Sequence, residues 1–138
     1  RSMGVSNFNL QMLADLLCYC QVKPVCNEVE LNPALNQAEL CRFMKAQDVI
    51  PIAYCPVSRI GTQENAHLDT EEFQAICQRH GKSQAQVMLN WAVARGTIPI
   101  PRSKSLGHIQ ENIQIYDFKL SEEEMKQIDA LDTGKRIC

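Results

Sequence analysis

The sequence predicts an α/β fold organised around a parallel sheet, and two observations carry that expectation. Short apolar runs of strand length alternate with segments of helical period, and the connections between successive runs are too long for hairpins, so each strand must cross over to a parallel neighbour. The runs also stop abruptly in small polar, aromatic or cationic residues, as in Gly4-Val5-Ser6-Asn7-Phe8 and Ile98-Pro99-Ile100-Pro101-Arg102-Ser103. That is the pattern expected where a buried strand delivers its last residues to a ligand.

The elements follow in order. Asn9 to Cys20 places Leu10, Leu13, Leu16 and Leu17 at helical spacing, with Asn7 or Asn9 as its cap. Val22 to Leu31 reads as a strand, and Pro33 then opens a helix over Ala34 to Ala46 with Leu40, Phe43 and Met44 as its buried stripe. Val49 to Tyr54 is almost uniformly apolar, like strands covered on both faces. Thr70-Glu71-Glu72 starts a third helix ending near Gly81, and Ser83 caps a fourth that runs to Arg95 and stops at Gly96. Thr97 to Pro101 is the last strand. Helices from Ser105 to about Ile113 and from Ser121 to Leu131 follow it, the latter opened by the capping box Ser121-Glu122-Glu123-Glu124.

Composition narrows the function. With 138 residues and a formal charge of -2 there is no basic field for nucleic acid, and no apolar run approaches the roughly 20 residues that span a bilayer. No signal peptide precedes Gly4, so a soluble cytoplasmic protein is expected. The seven cysteines are odd in number and lack a C-x-x-C pair, which favours reduced, mostly buried thiols over a disulfide framework or a metal site.

Four strand ends in this order, namely Gly4-Val5-Ser6-Asn7, Asn27-Glu28-Val29-Glu30-Leu31-Asn32-Pro33, Ile52-Ala53-Tyr54-Cys55-Pro56 and the run through Arg102-Ser103 toward Glu111-Asn112, resemble the aldo-keto reductases. The resemblance covers the whole chain but only the carboxyl-terminal half of that family's domain. It implies the second half of a (β/α)8 TIM barrel, whose complete form needs roughly 250 residues. One partial domain over 1–138 is expected, with no linker.

The resemblance also implies roles at a nicotinamide cofactor. Ser6 and Asn7 match the pair that holds the carboxamide, and Tyr54 matches the ring that stacks on the nicotinamide face. The plain alternative is that Ser6 and Asn7 cap the next helix and Tyr54 is an ordinary core aromatic. Glu28 stands where the family usually has Gln; an ionised Glu only accepts hydrogen bonds and brings charge beside a ring that is cationic when oxidised. Asn32 replaces a common His of the same motif.

Cys55, Val57, Ser58 and Arg59 match the turn around the pyrophosphate, served by backbone N–H groups and the Ser58 hydroxyl. Arg102, Ser103 and Lys104 match the grip on the adenosine 2′-phosphate, for which a bidentate guanidinium is suited. Glu111 and Asn112 match the adenine contacts, and His108 replaces a distal Arg, so NADP is expected with NAD left open.

The family's proton donor, a Tyr tuned by Lys and Asp beside a His, has no counterpart here. Tyr19, Tyr54 and Tyr116 fall outside its motif, and His67 and His80 read as surface residues of a loop and a helix end. No catalytic residue and no metal ligand is assigned. The expectation is an NADP-dependent reductase of small aldehydes or ketones when complete, inactive as this chain alone, partnered by the missing half-barrel or a second copy. The rival is a non-catalytic half-barrel with a structural or interaction role.

Overall fold

The computed structural model describes residues 1–58, 66 and 68–137. Four strands, β1 (Gly4–Ser6), β2 (Cys26–Glu30), β3 (Ile50–Tyr54) and β4 (Ile98–Pro99), lie side by side in chain order and all parallel. Helix α1 (Leu10–Tyr19) connects β1 to β2, α2 (Ala38–Ala46) connects β2 to β3, and α3 (Glu71–His80) with α4 (Gln84–Ala94) lies between β3 and β4. Two helices, α5 (Leu106–Ile113) and α6 (Glu122–Asp129), follow the last strand. The α/β order expected from the sequence is the one observed.

Most helix starts are set by the capping residues. Asn9, not Asn7, caps α1, its side chain accepting from the Met12 N–H at 2.9 Å. Thr70 caps α3, which ends at Gly81 with φ 61°, a left-handed conformation that costs glycine nothing. Ser83 with Gln86 and Ser121 with Glu124 form complete capping boxes on α4 and α6.

Helix α2 departs from expectation by starting at Ala38 rather than behind Pro33. The Asn32 side chain accepts from the N–H groups of Ala34 and Leu35 at 3.0 and 3.1 Å, and Asn36 accepts from Ala38 at 3.0 Å. Those side chains hold the backbone in turns and delay the helix. The strands expected over Val22 to Leu31 and Thr97 to Pro101 are also shorter in the structure, as β2 and β4. Pro24 interrupts the approach to β2, and Pro99 and Pro101 each remove one N–H donor at β4, leaving Ile100 to bond the Ala53 carbonyl.

Register sorts the strand residues into two faces. Gly4, Cys26 and Ile50 form one row and Ser6, Glu28, Ile52 and Ile98 the next, all on the same side of the sheet. A Cβ at Gly4 would sit 2.5 Å from the Cys26 sulfur, so a larger residue in the first row would need that side chain to turn aside. The alternate residues Val29 and Ala53 face the helices, where Leu13, Met44, Phe73, Met88 and Trp91 complete the core.

Two polar joints lock the helices together. At one, Asp129 accepts from Trp91 Nε1 at 2.9 Å and from Arg95 at 2.7 Å, while Arg95 stacks over the Trp91 ring and donates to the Asn36 carbonyl. At the other, the buried Glu124 accepts from Arg79 at 2.6 Å, pairs with His80 at 3.1 Å and receives the Ser121 N–H at 2.8 Å. Burial alone would raise the Glu124 pKa, but the Ser121 N–H, His80 and Arg79 together hold it at about 2. His80 is therefore no surface residue; its side chain is 17% exposed and its ring packs on Phe118. His67 lies outside the described residues.

The cysteines correct another expectation. Cys18, Cys20, Cys26, Cys41 and Cys77 are free thiols, but Cys55 is disulfide-bonded. No cluster of residues suited to a metal ion occurs among the described residues, and no helix among them is long and apolar enough to cross a membrane.

Candidate functional site

The carboxyl ends of all four parallel strands lie along one rim, and the polar strand ends singled out in the sequence meet there. Ser6 closes β1 and its hydroxyl donates to the Glu28 carbonyl at 3.1 Å. Asn7 follows with φ 59°, a left-handed turn that Asn tolerates better than most residues. Its N–H donates to the same Glu28 carbonyl at 2.8 Å. That turn carries the Asn7 amide across β2 to β3, where the Tyr54 hydroxyl donates to its Oδ1 at 2.9 Å. The amide orientation is thereby fixed, with Nδ2 left 3.4 Å from the Ser6 hydroxyl. Glu28 shares the row of Ser6 and is partly exposed on the same face.

A second group forms beyond β4. Arg102, Ser103, His108, Glu111 and Asn112 line a cleft of about 290 Å³ together with Val57 from the turn after β3. Lys104, expected in the same group, is exposed and not part of the lining. Ser103 is fixed in a tight turn, its hydroxyl accepting from the Ser105 N–H at 3.1 Å. The cleft also takes in Ser83 and Gln84 at the start of α4, which the sequence reading treated only as a helix cap. Helix starts concentrate partial positive charge, so this wall and Arg102 favour an anion in the same space.

Between the two groups runs the turn after β3. Cys55 and Ser58 both have positive φ, at 49° and 52°. The Ser58 hydroxyl, expected to face a phosphate, instead donates inward to Asn32 Oδ1 at 3.1 Å, and Ser58 is fully buried. Asn32 also donates to the Cys55 carbonyl at 3.3 Å, so this buried amide joins the turns after β2 and β3. Sequence reasoning missed that role. It also missed Asn27, whose buried side chain clamps Phe8 by accepting from its N–H and donating to its carbonyl. Arg59 lies outside the described residues, as does most of the following loop up to Leu68.

The rim thus pairs an oriented amide and an aromatic ring at one end with a cation-walled cleft at the other, a layout for one elongated ligand bearing a polar ring and a distal anion. Comparison with known proteins gives this layout a context. Residues 1–133 match the aldo/keto reductase family. The chain is 41% identical over 138 residues to the 9,11-endoperoxide prostaglandin H2 reductase of Trypanosoma cruzi, covering 99% of this chain and 48% of that protein. It is 39% identical over 137 residues to the glyoxal reductase of Bacillus subtilis, again covering 99% of this chain and 48% of that protein. An aldo-keto reductase of the silkworm Bombyx mori, solved in complex with NADPH, superposes with a TM-score of 0.88 at 33% identity, covering 98% of this chain and 43% of that one. The chain therefore spans about half the length of the relatives it matches, and by sequence and fold alike it belongs to the aldo/keto reductase family.

Proposed function

We propose that this chain is the cofactor-holding, carboxyl-terminal half of an NADP-dependent aldo-keto reductase domain, which in complete form reduces small aldehydes or ketones to alcohols in the cytoplasm. The observation that carries the reading is the rim itself, with the Ser6–Asn7–Tyr54 group at one end and the Arg102 cleft at the other. The residues present suit the cofactor: a preset amide and ring for a nicotinamide carboxamide, and a guanidinium beside a helix start for a phosphate.

When bound, NADPH supplies a hydride. Ser6 and Asn7 hold the carboxamide, and the Tyr54 ring fixes which face of the nicotinamide is presented. Glu28 sets the local charge. Cys55, Val57, Ser58 and Arg59 shape the wall beside the pyrophosphate, with Ser58 acting through its bond to Asn32. Arg102, Ser103 and Lys104 receive the 2′-phosphate, and His108, Glu111 and Asn112 border the adenine. NAD, lacking that phosphate, makes the weaker use of Arg102. No residue of this chain takes the proton-donor role, so the chain alone is expected to reduce no carbonyl. The alternative reading is a non-catalytic half-barrel.

Fluorescence titration of the 138-residue chain with NADPH and NADH tests the assignment. Arg102→Ala is expected to weaken NADPH binding by about tenfold or more, the loss of a charge-assisted contact, and to leave NADH nearly unchanged. Equal losses for both would remove Arg102 from the phosphate site.

A further inference from the structure

We propose that Gln86 is a positioning residue for the cleft beside Arg102: its side-chain amide sets the spacing between the two walls, and with it the affinity for the adenosine phosphate end of the cofactor. The role rests on the cofactor reading of that cleft and extends it to a side chain that touches no ligand.

The cleft lies between two helix ends. One wall is the start of α4, with Ser83, Gln84 and Ala85, and the other is α5, with His108, Glu111 and Asn112. A helix leaves its first N–H groups and its last carbonyls without partners of its own, so both walls present backbone groups that another residue must hold. Gln86 serves both. Its Oε1 accepts from the Ser83 N–H at 3.0 Å and completes the capping box of α4. Its Nε2 donates to the Glu111 carbonyl at 3.1 Å and to the Gln114 carbonyl at 3.2 Å, which closes the end of α5.

Those bonds use the oxygen and both N–H groups of the amide, so its orientation is fixed. Turned over, it would set its oxygen against two carbonyls and its nitrogen against the Ser83 N–H. The residue is only 6% exposed, and water offers little replacement for a lost bond. Moving α5 away from α4 therefore breaks two bonds, and Glu111 and Asn112 move with it. Gln84 and Ala85, the first two residues of α4, have no intrahelical acceptor for their N–H groups, so the same capping box keeps donors at the cleft for an anion.

The neighbouring donors show what is particular to Gln86. Asn90, one turn on, donates to the Ile115 and Phe118 carbonyls at 2.7 and 3.1 Å. Lys82, just before α4, reaches the Gln114 carbonyl at 3.2 Å and Asp117 at 2.6 Å. Both tie down the chain after α5, and none of these partners lines the cleft. Gln86 alone of the three bonds a lining residue on each wall. The cleft and all three donors are built from residues of this chain, whatever flanks the sheet.

Titration of the whole protein with the two ends of the cofactor separately tests the role, using adenosine 2′,5′-bisphosphate for one end and nicotinamide mononucleotide for the other. Gln86→Met keeps the length of the side chain, adds no charge and removes all three bonds. It should weaken the bisphosphate about tenfold and leave the mononucleotide unchanged. Asn90→Ala is the structural control, expected to lower the urea midpoint at least as far while bisphosphate affinity holds. In the unsubstituted protein the NMR signals of the Gln86 side-chain amide should shift with the bisphosphate and not with the mononucleotide, a readout that needs no variant to fold. Unchanged bisphosphate affinity in Gln86→Met, equal losses for the two ligands, equal losses in Gln86→Met and Asn90→Ala, or amide signals indifferent to the bisphosphate would overturn the proposal. Arg102→Ala in the same titration separates the two readings. If it weakens the bisphosphate and Gln86→Met does not, the positioning role falls and the phosphate site stands; if neither does, both fall.

Discussion

The two faces of the sheet are made from alternate residues of the same strands, yet they are finished differently. On the helix side both polar joints are closed from within: Trp91, Asp129 and Arg95 satisfy one another, and Glu124 of α6 draws in Arg79 and His80 at the end of α3. On the other side Ile50, Ile98 and Ile100 stay half exposed. Local sequence is sufficient to build crossover helices over one face, because each helix is tethered to the strand it covers. The opposite face belongs to a closed barrel, and its neighbours lie on strands that four parallel strands alone do not provide.

Truncation on each face gives the largest contrast. Trp91→Ala removes a fully buried ring and the bond it donates to Asp129, and should cost about 3–5 kcal/mol in urea denaturation. Ile50→Ala on the open face should cost about 1 kcal/mol or less in dilute solution, because water already reaches that side chain. Equal losses would break the contrast.

The Glu124 joint sharpens it through pH. Its folded pKa, at about 2, lies below the ordinary 4.5, so the carboxylate stabilises fully above about pH 4.5 and loses that contribution as pH falls toward 2. The full shift corresponds to about 3 kcal/mol. Glu124→Gln should lower stability at neutral pH and flatten the acid limb of the urea midpoint against pH. An unchanged acid limb would mean that the joint is not what holds α3 to α6.

The smallest effect belongs to the open side. Glu28→Gln should move the ratio of NADP+ to NADPH dissociation constants about two- to fivefold toward tighter relative NADPH binding, since desolvation cancels most of the gross attraction to a cationic ring. No movement in that ratio would place the Glu28 carboxylate away from the ligand.

What was legible in the sequence follows the range of the interactions. Thr70, Ser83, Ser121 and Gly81 act within a few residues of themselves, and the ends of their helices were placed from the sequence. The strand ends were legible for the same reason, as abrupt local changes of polarity. Pro33 misled because its helix-opening preference was outweighed by the Asn32 and Asn36 side chains bonding the adjacent turns. The Asn32–Ser58 bond, the Asn27 clamp and the Glu124 joint span 19 to 45 positions, and no periodicity announces such partners. The Cys55 disulfide was invisible because a cysteine count fixes no pairing. Helix α5 was expected from Ser105 to about Ile113 and spans Leu106–Ile113, but its hydrophobic pattern says only that a face seeks cover, and none of its residues is buried.

The left-handed turn at Asn7 has a consequence for which substitutions the rim admits. A residue at φ 59° pays a steric cost of roughly 1–2 kcal/mol unless it is Gly, or Asn or Asp with a short polar side chain. The bond from Tyr54 separately demands an acceptor oxygen at that place. The backbone therefore favours these three residue types, and among them only Asn keeps an N–H donor beside that acceptor. Two filters of different physical origin coincide on a single side chain, so the mutational tolerance of this position is narrower than its exposure to solvent suggests.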